Sequence, residues 1–194
     1  METSPEIQDV LHHLLLESPE TSPEKMVVLV DRTMSMEYCY EPTHNIKLNK
    51  LSDMIAAVMH HRYNARVFMY DCDLCGVDLT PGSVEELMEQ LGLCEATSRV
   101  ENPAIALEWL AFNRIQADRI VFVTDNKHPF NALEFRGAAL KYYHKANQDA
   151  QIVLVVLDHQ ELRSSTIEDP LLFKWSIVSG FGSKIIHEIL ASNP

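Results

Sequence analysis

Apolar and polar positions along the chain alternate between two periods. Met26 to Val30 is an unbroken apolar run ending at Asp31, the pattern of a strand buried on both faces of a sheet. Leu48 to Arg62 then places Leu51, Met54, Ile55, Val58 and Met59 on one helical face. Ala65 to Tyr70 and Cys75 to Leu79 read as two short strands around a turn at Asp71 to Leu74, with the second as a short edge. Ser83 and Glu86 have capping-box spacing ahead of Val84, Leu87, Met88 and Leu91. Asn102-Pro103 opens a helix bearing Ala106, Leu107, Leu110 and Ala111. Arg119 to Thr124 is the next buried strand, ending at Asp125, and Asn131 and Glu134 begin a helix running to about Ala146. Ile152 to Leu157 is the most apolar strand, while Trp175 to Val178 and Ser183 to Leu190 predict a last strand and a closing helix.

Ahead of these units, Ser4 to Leu16 spaces Ile7, Leu11, Leu14 and Leu15 as a short amphipathic helix, and Glu17 to Lys25 reads as a linker. The expected organisation is an N-terminal helix and linker over 1–25 and a single domain over 26–194. Repeated βα units with short loops imply an α/β, doubly wound, mostly parallel six-stranded sheet with helices on both faces and one short antiparallel edge strand. In such sheets ligands bind beyond the carboxyl ends of the strands, where the strand order reverses. That rule singles out Asp31 and Asp125.

Composition narrows the function. The 194 residues carry 16 Lys and Arg against 28 Asp and Glu, a net charge of −12, so the molecule as a whole repels a phosphate backbone. A chain this long buries roughly 70% of its unfolded surface and needs no disulfide or metal to hold together. Its four cysteines, Cys39, Cys72, Cys75 and Cys94, therefore read as reduced thiols. No strictly apolar run is longer than that of Ile152 to Leu157, far below the roughly 20 residues of a bilayer span. The expectation is a soluble protein of the cytoplasm or nucleus without membrane contact.

The chemistry gathers at Asp31-Arg32-Thr33-Met34-Ser35, where a carboxylate is followed by two hydroxyls at alternate positions. All are hard oxygen donors of the kind that Mg²⁺ takes in near-octahedral geometry at about 2.0–2.1 Å. A tight loop leaving a strand can aim alternate side chains at one point, and Asp125 ends what should be a neighbouring strand.

Asp31-x-Thr33-x-Ser35 after an apolar strand, with Val121-Phe122-Val123-Thr124-Asp125 further on, resembles the von Willebrand factor type A (vWA) domain. That family binds metal through an Asp-x-Ser-x-Ser motif, a Thr from a second loop and an Asp from a third. The resemblance implies a metal site of Asp31, Thr33, Ser35, Thr97 and Asp125, with Thr97 standing in Glu95-Ala96-Thr97-Ser98 without the glycines usual beside it. A closer resemblance is to the C-terminal vWA domain of the Ro ribonucleoprotein (TROVE) family. It is carried by Ile120 to Asn126 with the charged and aromatic tail through Tyr143, by Ser165 to Pro170, and by Ser179-Gly180-Phe181. Full-length Ro proteins place a helical-repeat ring that binds small noncoding RNA before this domain, and no such ring is expected within these 194 residues, whether the chain is a standalone paralogue, a divergent relative or a fragment of a longer protein.

Other motifs favour plainer readings. Cys72-x-x-Cys75 has zinc or redox spacing but no second pair. His12-His13 and His60-His61 sit about 100° apart on a helix and do not converge. Lys141-Tyr142-Tyr143-His144-Lys145 reads as one helix with packed tyrosines and solvated lysines. A phosphatase of the haloacid-dehalogenase type needs a second Asp where Thr33 stands, and no Gly-x-Ser-x-Gly elbow supports a hydrolase triad. The expectation is a non-enzymatic module that binds Mg²⁺ or Mn²⁺ and, through it, the Asp or Glu of a protein partner. RNA is expected only indirectly or through a ring domain, and a Ro-like RNA-binding protein is the alternative.

Overall fold

The computed structural model describes residues 5–18, 24–38, 46–94, 98, 102–125, 132–157, 175–182 and 184–192. The elements run α1 (Pro5–Glu17), β1 (Met26–Asp31), α2 (Leu48–Tyr63), β2 (Arg66–Tyr70), β3 (Leu74–Gly76), α3 (Val84–Gly92), α4 (Pro103–Phe112), β4 (Arg119–Thr124), α5 (Ala132–Lys145), β5 (Gln151–Val156), β6 (Trp175–Ser179) and α6 (Ile185–Ala191). They form one six-stranded sheet in the order β3-β2-β1-β4-β5-β6, parallel throughout except for the β2–β3 pair. This is the doubly wound α/β architecture that the apolar pattern predicts. The strand order reverses between β1 and β4, so the carboxyl ends of those two strands form the switch point.

Side chains alternate across the sheet and build a core on each face. Val28 and Val30 face one cluster with Met54 and Ile55 of α2, Leu87 of α3 and Ile186 of α6. Val27 and Leu29 face the other, with Leu107 of α4, Phe135 and Tyr142 of α5, and Phe122 of β4. Leu11 and Leu14 of α1 also lie in the first cluster, and the Arg62 guanidinium donates to the Leu15 carbonyl at 2.7 Å. The first helix thus shares the core of the sheet that follows it.

Local rules explain most boundaries. The capping box at α3 is present: the Glu86 amide donates to the Ser83 hydroxyl at 3.2 Å, and the Ser83 amide to the Glu86 carboxylate at 2.8 Å. Among the strands the largest departure from the sequence pattern is β3, which starts at Leu74 and ends at Gly76 where Cys75 to Leu79 is expected. Asp71 Oδ1 accepts the Asp73 amide at 3.0 Å, closing an Asx turn early enough that Leu74 already pairs with Tyr70. Asn131 and Ser183, expected at helix starts, lie outside the described residues. Among the described residues no helix is long and apolar enough to cross a membrane.

Candidate metal site at the switch point

The end of β1 is built as a sequence of small locks. The Arg32 amide donates to the Tyr70 carbonyl at 2.8 Å, extending the β1–β2 ladder one residue past Asp31. Asp31 Oδ1 then accepts the Thr33 amide at 2.7 Å, an Asx turn that ends the strand. A 3₁₀ turn follows over Met34–Glu37, closed by the Met36 amide on the Thr33 carbonyl at 3.0 Å. The result places alternate residues inward: Asp31, Thr33 and Ser35 are buried, while Met34 between them is 47% exposed.

Three of the five expected donors, Asp31, Thr33 and Ser35, meet here, and Asp125 is adjacent. The Thr33 and Ser35 hydroxyl oxygens are 3.0 Å apart. Across the strand pair, the Thr124 hydroxyl donates to Asp31 Oδ2 at 2.8 Å, and Asp125 follows directly, 3% exposed. The Asp31 carboxyl is raised from 3.8 to about 6 in all, chiefly by burial. Hydrogen bonds from the Thr33 amide, the Thr124 hydroxyl and the Thr33 hydroxyl limit that rise, and the Asp125 charge adds to it. Two acidic groups held this close in a dry site repel each other, and a cation would relieve that repulsion. The donor set of carboxylates and hydroxyls suits a hard dication.

Thr97 lies outside the described residues, as does the Ser165 to Pro170 stretch. Ser98 is described, and its carbonyl accepts the Met34 amide at 3.1 Å, so the chain next to Thr97 abuts the Asp31 loop.

The Ro (RSR) protein of Deinococcus radiodurans is similar over 86% of this chain and 34% of its own, with a TM-score of 0.65 and 16% identity. A von Willebrand factor type A protein from Catenulispora acidiphila is similar over 89% of this chain and 41% of its own, with a TM-score of 0.53 and 14% identity. This chain has the vWA fold. The conserved hypothetical protein BatB from Bacteroides thetaiotaomicron matches over 87% of this chain and 99% of its own, at a TM-score of 0.51 and 12% identity. The chain spans about a third of the Ro protein's length, the matched share being 34%. No protein-family model and no curated protein matches the chain.

The other motifs of the sequence lie away from this loop. Among the described residues no three His, Cys, Asp or Glu side chains could hold a metal. Cys72 and Cys75 are exposed free thiols at the β2–β3 hairpin, Cys94 is a third, and Cys39 lies outside the described residues. His60 and His61 donate from Nδ1 to the carbonyls of Ala65 and Gly82, at 2.9 and 3.3 Å. Tyr142 is buried and donates to the Ile115 carbonyl at 2.9 Å, while Lys141 and Lys145 are exposed.

Three residues of the site escape sequence reasoning. Thr124 reads as the last residue of a strand, although a hydroxyl next to the singled-out Asp125 is itself a signal. Arg32 and Asp53 are not singled out in the sequence, yet they are 6% and 1% exposed and form an ion pair beneath the loop. The available signal is Asp53 itself, a lone acid within the apolar run from Leu51 to Met59.

Proposed function

We propose that this chain is a non-enzymatic vWA module that binds Mg²⁺ or Mn²⁺ through Asp31, Thr33, Ser35, Thr97 and Asp125, and binds the carboxylate of a partner protein through the ion. The observation that carries this reading is the meeting of the paired Thr33 and Ser35 hydroxyls with the Asp31 carboxylate beside Asp125, at the carboxyl ends of adjacent strands where the order reverses. A bound dication would turn a local patch of this acidic surface into an acceptor of anions. Two carboxylates and three hydroxyls leave an octahedral ion room for water or one outside oxygen. Thr33 occupies the position where a phosphatase would carry its acid, which supports a binding role over catalysis.

A ligand that binds only the folded state stabilises it, by about 2.7 kcal/mol at a hundredfold excess over Kd. The melting temperature should therefore rise with added Mg²⁺ or Mn²⁺. If Asp31→Ala shows the same rise as the parent, the site is wrong.

The likeness to the Deinococcus Ro protein favours a second reading, a Ro-like RNA-binding protein. The charge of −12 argues against tight RNA contact by this chain itself. Electrophoretic shift at physiological salt separates the two: salt-resistant capture of a small noncoding RNA by the purified chain would establish the second.

A further inference from the structure

Between the first two proposed ligands stands Arg32, and its side chain turns down into the protein toward the α2–α3 face. Its Nη2 donates to Asp53 Oδ1 on α2 and to the Leu91 carbonyl on α3 at 3.4 Å, and its Nε to Met69 Sδ on β2 at 3.2 Å. With the Arg32 amide on the Tyr70 carbonyl, one residue is tied to three elements. Asp53 is held in turn by Lys50, whose Nζ is 3.8 Å from Oδ2. Burial pushes the Asp53 carboxyl up from 3.8, and Arg32, then Lys50, pull against that rise.

Stability alone does not account for such a pair. Removing two charges from water costs about as much as their attraction returns, and apolar residues of similar volume are often as stable in their place. What a guanidinium fork supplies and a Leu–Met contact does not is direction. The flanking residues depend on direction, because a hard dication tolerates only small errors in the placement of its oxygens. The Thr33 amide reaches Asp31 Oδ1, and the Met34 amide reaches Ser98, only if the backbone on either side of Arg32 is fixed.

We propose that Arg32 is a positioning residue: its ion pair with Asp53 and its bonds to α3 and β2 hold the Asp31–Ser35 loop in its ligand-ready arrangement before any ion or partner arrives. The metal-binding consequence rests on the function proposed above, while the ordering of the loop concerns the metal-free protein.

The test uses the paired variant Arg32→Met/Asp53→Leu, which removes both charges and approximates both volumes. Arg32→Met alone would strand a buried carboxylate and confound loop order with unfolding. Three quantities are read: the melting temperature, amide hydrogen exchange at Thr33 and Met34 without metal, and the Kd for Mg²⁺ or Mn²⁺. The expected result is a melting temperature close to the parent's, exchange roughly tenfold faster or more at both amides, and a Kd about ten- to a hundredfold higher. Arg32→Lys keeps the charge but not the fork, and serves if the paired variant does not fold; it should also speed exchange at both amides. Parent-like exchange at Thr33 and Met34 in whichever variant folds overturns the proposal. If the parent binds neither ion, the metal reading falls, and the exchange rates still decide the role of Arg32.

Discussion

The hydroxyl of Thr124 donates to Oδ2 of Asp31 at 2.8 Å, joining the ends of β4 and β1 across the reversal of strand order. Oδ1 of the same carboxylate already accepts the Thr33 amide, so both oxygens of Asp31 are oriented from within the chain. A carboxylate that is 0% exposed is thus aimed rather than merely present.

Removing that donor should cost stability. Thr124→Val keeps the shape of a side chain that is 0% exposed and deletes only the hydroxyl. A hydrogen bond to a charged acceptor contributes about 1.5–3 kcal/mol, so the unfolding free energy at pH 7 should fall by about that amount. Urea denaturation measures it, and a Thr124→Val curve that overlays the parent's would show that Asp31 does not depend on Thr124.

Asp31 also sets a pH dependence. Its folded value of about 6 lies above the ordinary 3.8, so the folded state holds the proton more tightly than the unfolded state does. Its contribution is therefore fully present below about pH 4 and is lost as the pH rises toward 6 and beyond. A dication competes with the same proton, so added Mg²⁺ should stabilise most above pH 6 and progressively less below it. Urea midpoints at pH 4.5 and 7.5, with and without Mg²⁺, test both signs. A metal effect of equal size at the two pH values would remove Asp31 from the site.

These relationships were unevenly legible in the chain. β1, β4 and β5 are plain from their apolar runs because a strand covered on both faces must be apolar at every position. Asp31 and Asp125 followed, since a fold with this element order brings the ends of its central strands together. The start of β3 was displaced because it depends on the Asp71 side chain capturing the Asp73 amide, which no hydrophobic pattern encodes. The Arg32–Asp53 pair joins positions 21 residues apart, and each residue alone resembles a solvated charge. The stripe on α1 announces that something is buried without saying against what.

That last ambiguity yields a stability prediction. Leu14 is 0% exposed within the core cluster, and Leu16, two residues on, is 67% exposed. Leu14→Ala should therefore cost about 2–5 kcal/mol, the range for truncating a buried leucine, whereas Leu16→Ala should stay within about 0.5 kcal/mol. Equal, small effects at the two positions in a denaturant titration would mean that α1 adds little to the core it lies against.

Asp125 separates the electrostatics of the metal-free site from its capacity to bind. In the absence of metal its charge raises the Asp31 carboxyl, so Asp125→Asn should move the Asp31 titration below about 6, seen by carboxyl NMR. The same change removes one of two carboxylates from the proposed coordination sphere, so the thermal response to Mg²⁺ or Mn²⁺ should shrink or vanish. A partner carboxylate has to shed water and approach an acidic chain, and only the ion's charge offsets that cost, so partner binding should be lost in Asp125→Asn and in excess EDTA alike. Cys72→Ser with Cys75→Ser is the matched control: both thiols are exposed on the hairpin, and metal and partner binding should be unchanged. A partner that binds Asp125→Asn as tightly as the parent, with EDTA present, would place the contact on another surface of the domain and end the metal-bridged account.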